Sequence, residues 1–281
     1  MAFKLGDVVI DRLQFGYGAK SDGTPLYALT QLTDANIEIT ADSTDINDKD
    51  GNLVYRKYNG KKGEVTATNA FFNLAVVETI SATDAEIATE KKGIVMPMIQ
   101  LVKAGDTLDI TGYEEGSIHV NALSPKGSMG KDEYKKGSKA SATEYGIKHT
   151  DATGTSGSDG YVPASDVLEP PTADGETQYI VKYKKTVTSG AKITNSGKKF
   201  PKAHELFFKA LVVDRCEPDV LRAAIIHIPS FMPSPEVTVA LQGGDSQSMD
   251  YKGAMLLNAC AGDAELFSIY YIDEEEDDIE I

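Results

Sequence analysis

Ala35 to Ile80 reads ANIEITADSTDINDKDGNLVYRKYNGKKGEVTATNAFFNLAVVETI, and this stretch decides the fold class. In ANIEITA (Ala35 to Ala41), Ile37 and Ile39 fall on one face and Glu38 and Thr40 on the other, the period-two pattern of a half-buried strand. NLVYRKY (Asn52 to Tyr58) answers it. Between them TDINDKDGN supplies Asp and Gly, which tolerate positive φ and close a hairpin without Cβ strain. NGKKG (Asn59 to Gly63) predicts a second turn into EVTAT (Glu64 to Thr68), and hence a three-stranded meander. The apolar spacing then changes. Phe71, Phe72, Ala75, Val76, Thr79 and Ile80 recur near i, i+4 and i+8, which predicts a short amphipathic helix with Asn69 as its cap.

Strand patterns continue on the C-terminal side. GIVMPMIQLV (Gly93 to Val102) predicts a buried strand that Pro97 confines to an edge or a bulge, and GSIHVNAL (Gly116 to Leu123) another. From Ser124 to Gly160 the only Leu, Ile, Val or Phe is Ile147, so that segment predicts an exposed polar insertion, extending to about residue 175 past EPPT (Glu169 to Thr172). Strands return at Thr177 to Val187, Leu206 to Val213, Ala223 to Ile228, Glu236 to Gln242 and Ala264 to Ile272. Cys216 to Arg222 suits one helical turn. So many closely spaced strands predict a mainly β fold, a sandwich or barrel with a short flanking helix, in one domain over 1–281.

Composition narrows the function. The 281 residues include 43 acidic and 28 basic ones, for a formal charge of −15, so contact with a nucleic-acid backbone is expected to be weak or repulsive. The start, MAFKLGDVVIDRL, lacks the apolar run of a signal peptide, and no window suits a membrane span. Synthesis in a cytoplasm is the expectation. Cys216 and Cys260 have no metal-binding spacing and suit two reduced core thiols. DEEEDDIEI (Asp273 to Ile281) carries seven acidic residues in nine and predicts a flexible hydrated tail, or a surface that recruits a basic partner.

Chemistry is thin. His119, His149, His204 and His227 are scattered without HxH or HExxH spacing, and His227 in IIHIP suits a core or interface position. No GxSxG elbow, P-loop or GxGxxG frame occurs, and Gly16 and Gly18 in FGYG suggest only a loop. Placing Gly51 at the sixth position of a calcium loop puts Asp48 and Asp50 correctly but leaves Ile46 and Lys57 at the anchoring ligands. A hairpin tip with solvated carboxylates accounts for these residues. No enzyme, cofactor or metal is expected.

LTDANIEITADSTDINDKDGNLVYRKYNGKKGEVTATNAFFNLAVV (Leu32 to Val77) resembles the tail tube (major tail) proteins of long-tailed bacteriophages, and the later PEVTVALQGGDSQSMDYKGAMLLNA (Pro235 to Ala259) resembles phage virion proteins. The resemblance covers the first hundred residues or so and the last eighty; Ser124 to Gly160 has no counterpart in it. It implies a β-sandwich or barrel whose copies form rings, commonly hexameric, with inner sheets joined into a tube for genome passage. It also implies that Thr44 to Tyr55 is an inter-ring hairpin, with Asp45, Asp48, Lys49, Asp50, Gly51 and Asn52 at or near its tip. Phe71, Phe72, Val76 and Ile80 become the flanking helix. Implied partners are copies of the chain, other tail proteins and passing DNA, in a virion tail and without membrane insertion. Two tube-like sandwiches in one chain, forming trimeric rings, also fit the length. A capsid or head-decorating protein and a secreted β-sandwich binding module are the alternatives.

Overall fold

The computed structural model describes residues 6–124, 127–150, 165–172, 178–238, 248–257 and 264–275. The chain opens with β1 (Val8–Ala19), β2 (Pro25–Leu29), β3 (Leu32–Asn47), β4 (Leu53–Asn69) and helix α1 (Leu74–Ser81). Next come β5 (Glu86–Ala88), β6 (Ile94–Lys103), β7 (Leu108–Asp109), β8 (His119–Leu123) and β9 (Met129–Gly137). β10 (Glu144–Thr150), β11 (Ser165–Glu169), β12 (Gln178–Val187) and β13 (Gly190–Lys192) follow. The last are β14 (His204–Asp214), β15 (Glu217–Pro233), β16 (Met249–Met255) and β17 (Ser268–Glu275). The described residues form a mainly β fold with one short helix, as the strand patterns predict.

The chain divides into two compact units, residues 1–85 with 193–281, and residues 86–192. This differs from one domain carrying a polar loop over about 124–175. Three strands, β9, β10 and β11, lie where a loop is expected. β9 and β10 turn tyrosines inward, which a search for Leu, Ile, Val and Phe passes over, and β11 buries Leu168. Tyr145 is buried, and Tyr134 meets the buried Tyr179 edge-on with ring centroids 5.6 Å apart. Residues 151–164 and 173–177 of the expected loop lie outside the described residues.

The second unit orders its main sheet β6-β12-β8-β9-β10-β11-β7, with β5 and β13 paired separately. β6 lies at the end of that sheet, which fits Pro97, a residue with no N–H to donate. The first unit has the order β2-β1-β14-β15-β16-β4-β3, with β17 added on β15, and curls into a nearly closed barrel-like sheet. Val65, Leu206, Phe208, Ile228, Phe231 and Tyr251 fill its core together with Val76 and Ile80 from α1. Each such side chain contributes about 1.5–3 kcal/mol by leaving water.

Several local expectations change. NGKKG is no turn: β4 runs straight through it, paired with β3 from Asn69 to Leu53. Asn59 and Lys61 pair with Asp42 and Ala41, leaving Gly60 as an extra residue at φ +72°. An Asn-Gly pair can thus make a bulge, which needs one residue at positive φ, where a tight hairpin turn of type I′ needs two. Phe71 and Phe72 precede the helix, whose cap is Asn73 and not Asn69. Asn73 Oδ1 accepts from the amides of Ala75 (2.9 Å) and Val76 (3.3 Å), and its Nδ2 donates to Ala28 O at 2.8 Å, tying α1 to β2. Asn69 instead closes the chain, donating to Phe71 O and accepting from Gln31 N.

FGYG lies within β1 and not in a loop; the Tyr27 ring packs so tightly on Gly18 that a Cβ there would stand 2.3 Å from it. Glu217 to Arg222 is strand, reached by a turn at 215–216, because β14 supplies backbone partners to Glu217, Leu221 and Arg222 and β17 pairs with Arg222. Cys216 is an exposed free thiol at that turn, outside any core, and Cys260 lies outside the described residues. Residues 236–238 of the expected strand Glu236 to Gln242 are irregular, and 239–242 lie outside the described residues. Asp273 to Glu275 of the expected flexible tail belong to β17, where Arg222 Nε holds Asp273 Oδ1 at 3.0 Å and the same guanidinium pairs with Glu217. Residues 276–281 lie outside the described residues.

One polar cluster sits inside the first core. Tyr27 Oη lies 2.7 Å from His204 Nε2 and hydrogen-bonds Tyr251 Oη, which is 3.2 Å from the same nitrogen; His204 Nδ1 faces Lys202 O at 3.3 Å. A neutral imidazole with its proton on Nδ1 satisfies the set: Tyr251 donates to Tyr27, Tyr27 to Nε2, and Nδ1–H to Lys202 O. A second ring proton would point into this hydroxyl pair and leave one O–H without an acceptor. Burial lowers the His204 pKa below its ordinary value and raises those of both tyrosines.

The unfolded chain therefore takes up the histidine proton first, near pH 6.5, while the folded chain stays neutral to lower pH. Its contribution is complete above about pH 6.5 and is lost as pH falls toward the folded pKa. We expect His204→Gln to cost about 1–3 kcal/mol at neutral pH. The gap to the unsubstituted protein should narrow at pH 5.5 in urea unfolding, and a gap independent of pH would contradict this assignment.

Candidate assembly surfaces

β3 and β4 form one long ladder, but β16 covers β4 only from Gly63 to Asn69. From Thr40 to Lys62 the pair has no third strand among the described residues, and both of its faces are exposed. A two-stranded ribbon is marginal in water by itself, so its own contacts must hold it. Arg56 clamps Asp45, its direct cross-strand neighbour, through Nε to Oδ1 (2.7 Å) and Nη2 to Oδ2 (2.9 Å). Lys62 reaches Asp42 at 2.8 Å, and Asn59 Nδ2 donates to Thr44 Oγ1 at 2.9 Å.

The tip is organised around Asp48. Its Oδ1 accepts from the amides of Asp50 (2.9 Å) and Asn52 (2.8 Å), its Oδ2 from Asn52 Nδ2 (3.1 Å), and Gly51 occupies φ +85°. Those hydrogen bonds, with the Asn52 side chain first, hold the Asp48 carboxyl below its ordinary pKa; the Arg56 guanidinium does the same for Asp45. Asp48 is thus committed to its own turn. Lys49 projects into solvent and approaches Asp50 only to 3.8 Å. The structure brings the six named tip residues together on one projecting ribbon. Phe71 stays exposed before α1, while Val76 and Ile80 are buried in the core.

Apolar side chains also stand exposed on the ribbon. Ile46 and Tyr55 face each other across the strands, and Leu53, Val54 and Tyr58 lie nearby, all more than half exposed. Charge reading of the tip alone misses them.

A second surface has no counterpart in the sequence reading. β1, β14, β15 and β17 form an antiparallel run of four. β2 pairs with β1 only from Gly16 onward, so Val8 to Phe15 have no strand on their outer side among the described residues, and neither does β17. Both edge strands expose apolar side chains, Ile10 to 63% and Ile269 to 62% with Val9 and Tyr270 beside them, and charged residues follow at Asp11 and Arg12 on β1 and at Asp273 to Glu275 on β17. Because the run contains an even number of antiparallel strands, its two edges point in opposite directions. Register shifts at Asp11 and Gln14 bulge β1, which bends it.

Elsewhere the polar groups serve the fold. His119 pairs with Glu133 (2.7 Å) and His149 with Asp166 (2.6 Å), while His227 stacks on Phe207 at 4.4 Å. A pocket of about 620 Å³ in the first unit is lined by Lys20, Asp22, Glu78, Asp84, Lys202 and His204, where Glu78 already caps Ala85 N. Among the described residues no three His, Cys, Asp or Glu side chains gather as a metal site, and no helix is long and apolar enough to cross a membrane.

These features define a β-rich structural protein whose conspicuous surfaces are strand edges and a ribbon. Residues 9–269 match the YomU/Tube protein family, and the chain belongs to that family. It is a family of phage tail tube proteins, which makes this chain a structural component of a phage tail. The match runs through 124–160, the segment for which the sequence resemblance has no counterpart. No curated protein matches the chain.

Gly51→Val should strain the tip by about 1–2 kcal/mol. Amide exchange at Asp48 to Asn52 should then accelerate roughly tenfold without a change in exchange at Leu206 or Phe208. Equal acceleration in the core strand would show that the ribbon is not an independent element.

Proposed function

We propose that this chain is the tube-forming subunit of the tail, assembling into rings that stack around a channel for the genome. One observation carries this reading: the outer edges of β1 and β17 have no neighbouring strand among the described residues, the two strands expose apolar side chains, and they run in opposite directions. Rotating one copy about a ring axis sets its β17 antiparallel to the β1 of its neighbour, so the alternation of the four-stranded runs continues without a break. Such a contact is head-to-tail, closes into a ring, and removes edges that would otherwise invite uncontrolled pairing. The bulges in β1 supply the curvature that a closed sheet requires.

Stacking falls to the β3–β4 ribbon. Its cross-strand ion pairs keep it extended, and Ile46, Tyr55 and Tyr58 offer apolar surface to the next ring. Six subunits per ring is the stoichiometry implied by the sequence resemblance; a tandem arrangement in three is the alternative that the length allows. The role is structural and not enzymatic, with copies of the chain and other tail proteins as partners and DNA in transit. Its place is the virion tail after synthesis in the host cytoplasm. A net charge of −15 suits a conduit, because repulsion keeps phosphates from adhering. Membership of a tail family takes support from the capsid, head-decorating and secreted-module alternatives.

Deleting Asp48 to Asn52 should leave the fold and single rings intact but prevent tubes in negative-stain electron microscopy. Ile10→Glu, on the edge of β1, should leave monomers in sedimentation velocity. Tubes formed by the deletion variant, or rings formed by Ile10→Glu, would overturn the corresponding half of the assignment.

A further inference from the structure

The second unit has an exposed face with a periodic pattern. On β6, Val95, Pro97, Ile99 and Leu101 lie opposite the face that packs Met98 and Val102 into the core, and all four are exposed, Ile99 to 67%. The register places Lys184 directly beside Pro97 and Lys182 directly beside Ile99 on the neighbouring strand β12. An apolar row and a cationic row therefore run side by side, about 4.8 Å apart and each repeating every ~6.8 Å. Neither lysine has an ion pair among the described residues, in a chain where acidic side chains outnumber basic ones 43 to 28. Glu133, on the far side of β8, is already hydrogen-bonded to His119.

The matching pattern occurs within the same chain. Glu276 to Ile281 reads EDDIEI, in which Ile279 and Ile281 alternate with Asp278 and Glu280. Extended, such a segment carries isoleucines along one side and carboxylates along the other, each with the same ~6.8 Å repeat. Laid over the seam between β6 and β12, it would set the isoleucines against Ile99 and Leu101 and the carboxylates over Lys182 and Lys184.

We propose that this face of β6 and β12 receives the acidic run Glu276–Ile281 of a second copy of the chain. Exposed ion pairs are weak individually and screened by salt. The contact therefore becomes populated where assembly raises the local concentration toward the millimolar range. It rests on the tube reading only in that respect. The run thereby acts as a strap between subunits, separate from the β1 and β17 edges and from the ribbon.

The test mixes unlabelled and ¹⁵N-labelled full-length protein under assembling conditions, followed by zero-length carbodiimide cross-linking and mass spectrometry. Cross-links are expected between Lys182 or Lys184 of one isotope and Asp277, Asp278 or Glu280 of the other. Ile99→Ser combined with Leu101→Ser, which keeps both lysine amines, should lower their yield about tenfold, while Lys135→Glu combined with Lys136→Glu should not. Ile279→Ser with Ile281→Ser, which keeps the charge, should lower it as well. An unchanged yield in the Ile99/Leu101 variant, or cross-links from the run to lysines elsewhere, would overturn the proposal. Rings without these cross-links sink the strap alone; cross-links without rings sink the ring reading alone.

Discussion

A strand with nothing beside it leaves a row of amide and carbonyl groups without protein partners, and in this chain that constraint shapes the fold. In the first unit, β14 and β15 are paired on both sides over much of their length, while β1 and β17 carry the cost at either end of the four-stranded run. Proteins that remain monomeric blunt such edges with charge or cover them. Here Val9, Ile10, Ile269 and Tyr270 expose apolar side chains on these strands, and Arg222, held between Glu217 and Asp273, ties β17 to its neighbour.

Charge and apolar surface divide the labour. Acidic and basic side chains nearly balance in the second unit, so almost all of the excess negative charge belongs to the first, where like charges repel one another. Buried polar groups have another role. The Tyr27, His204 and Tyr251 cluster joins β2, β14 and β16 across the first core, and its hydrogen bonds have direction where hydrophobic contact has none. A ribbon held by exposed cross-strand pairs, in contrast, contributes little to folding and is free to be shaped by what it contacts.

Much of the strand content was legible in the sequence, because alternation of side chains is a local property. Ile37 and Ile39 mark β3, the Asp48 to Asn52 tip announces its turn, and the apolar runs at 206–213 and 223–228 locate β14 and β15. Errors fell where a local signal has two outcomes. Asn59-Gly60 can open a turn or a bulge, and only the continuing pairing of Lys61 with Ala41 selects the bulge. β9 and β10 escaped because tyrosine, with a polar tip on a large apolar ring, supplies their buried side chains.

The order of strands lay beyond the sequence altogether. β1 pairs with β14 across nearly the whole chain, and β4 reaches β16 over a similar span, so a single substitution pattern on either strand cannot name its partner. By itself the sequence determined a β-rich, acidic chain with a charged hairpin and no catalytic frame, since propensity, turn chemistry and charge act between near neighbours. Only the tertiary structure decided that the chain forms two units, that the hairpin projects past its sheet, and which edges remain open. The reason is physical: an edge is defined by the absence of a neighbour, and absence becomes visible only when every other strand has been placed.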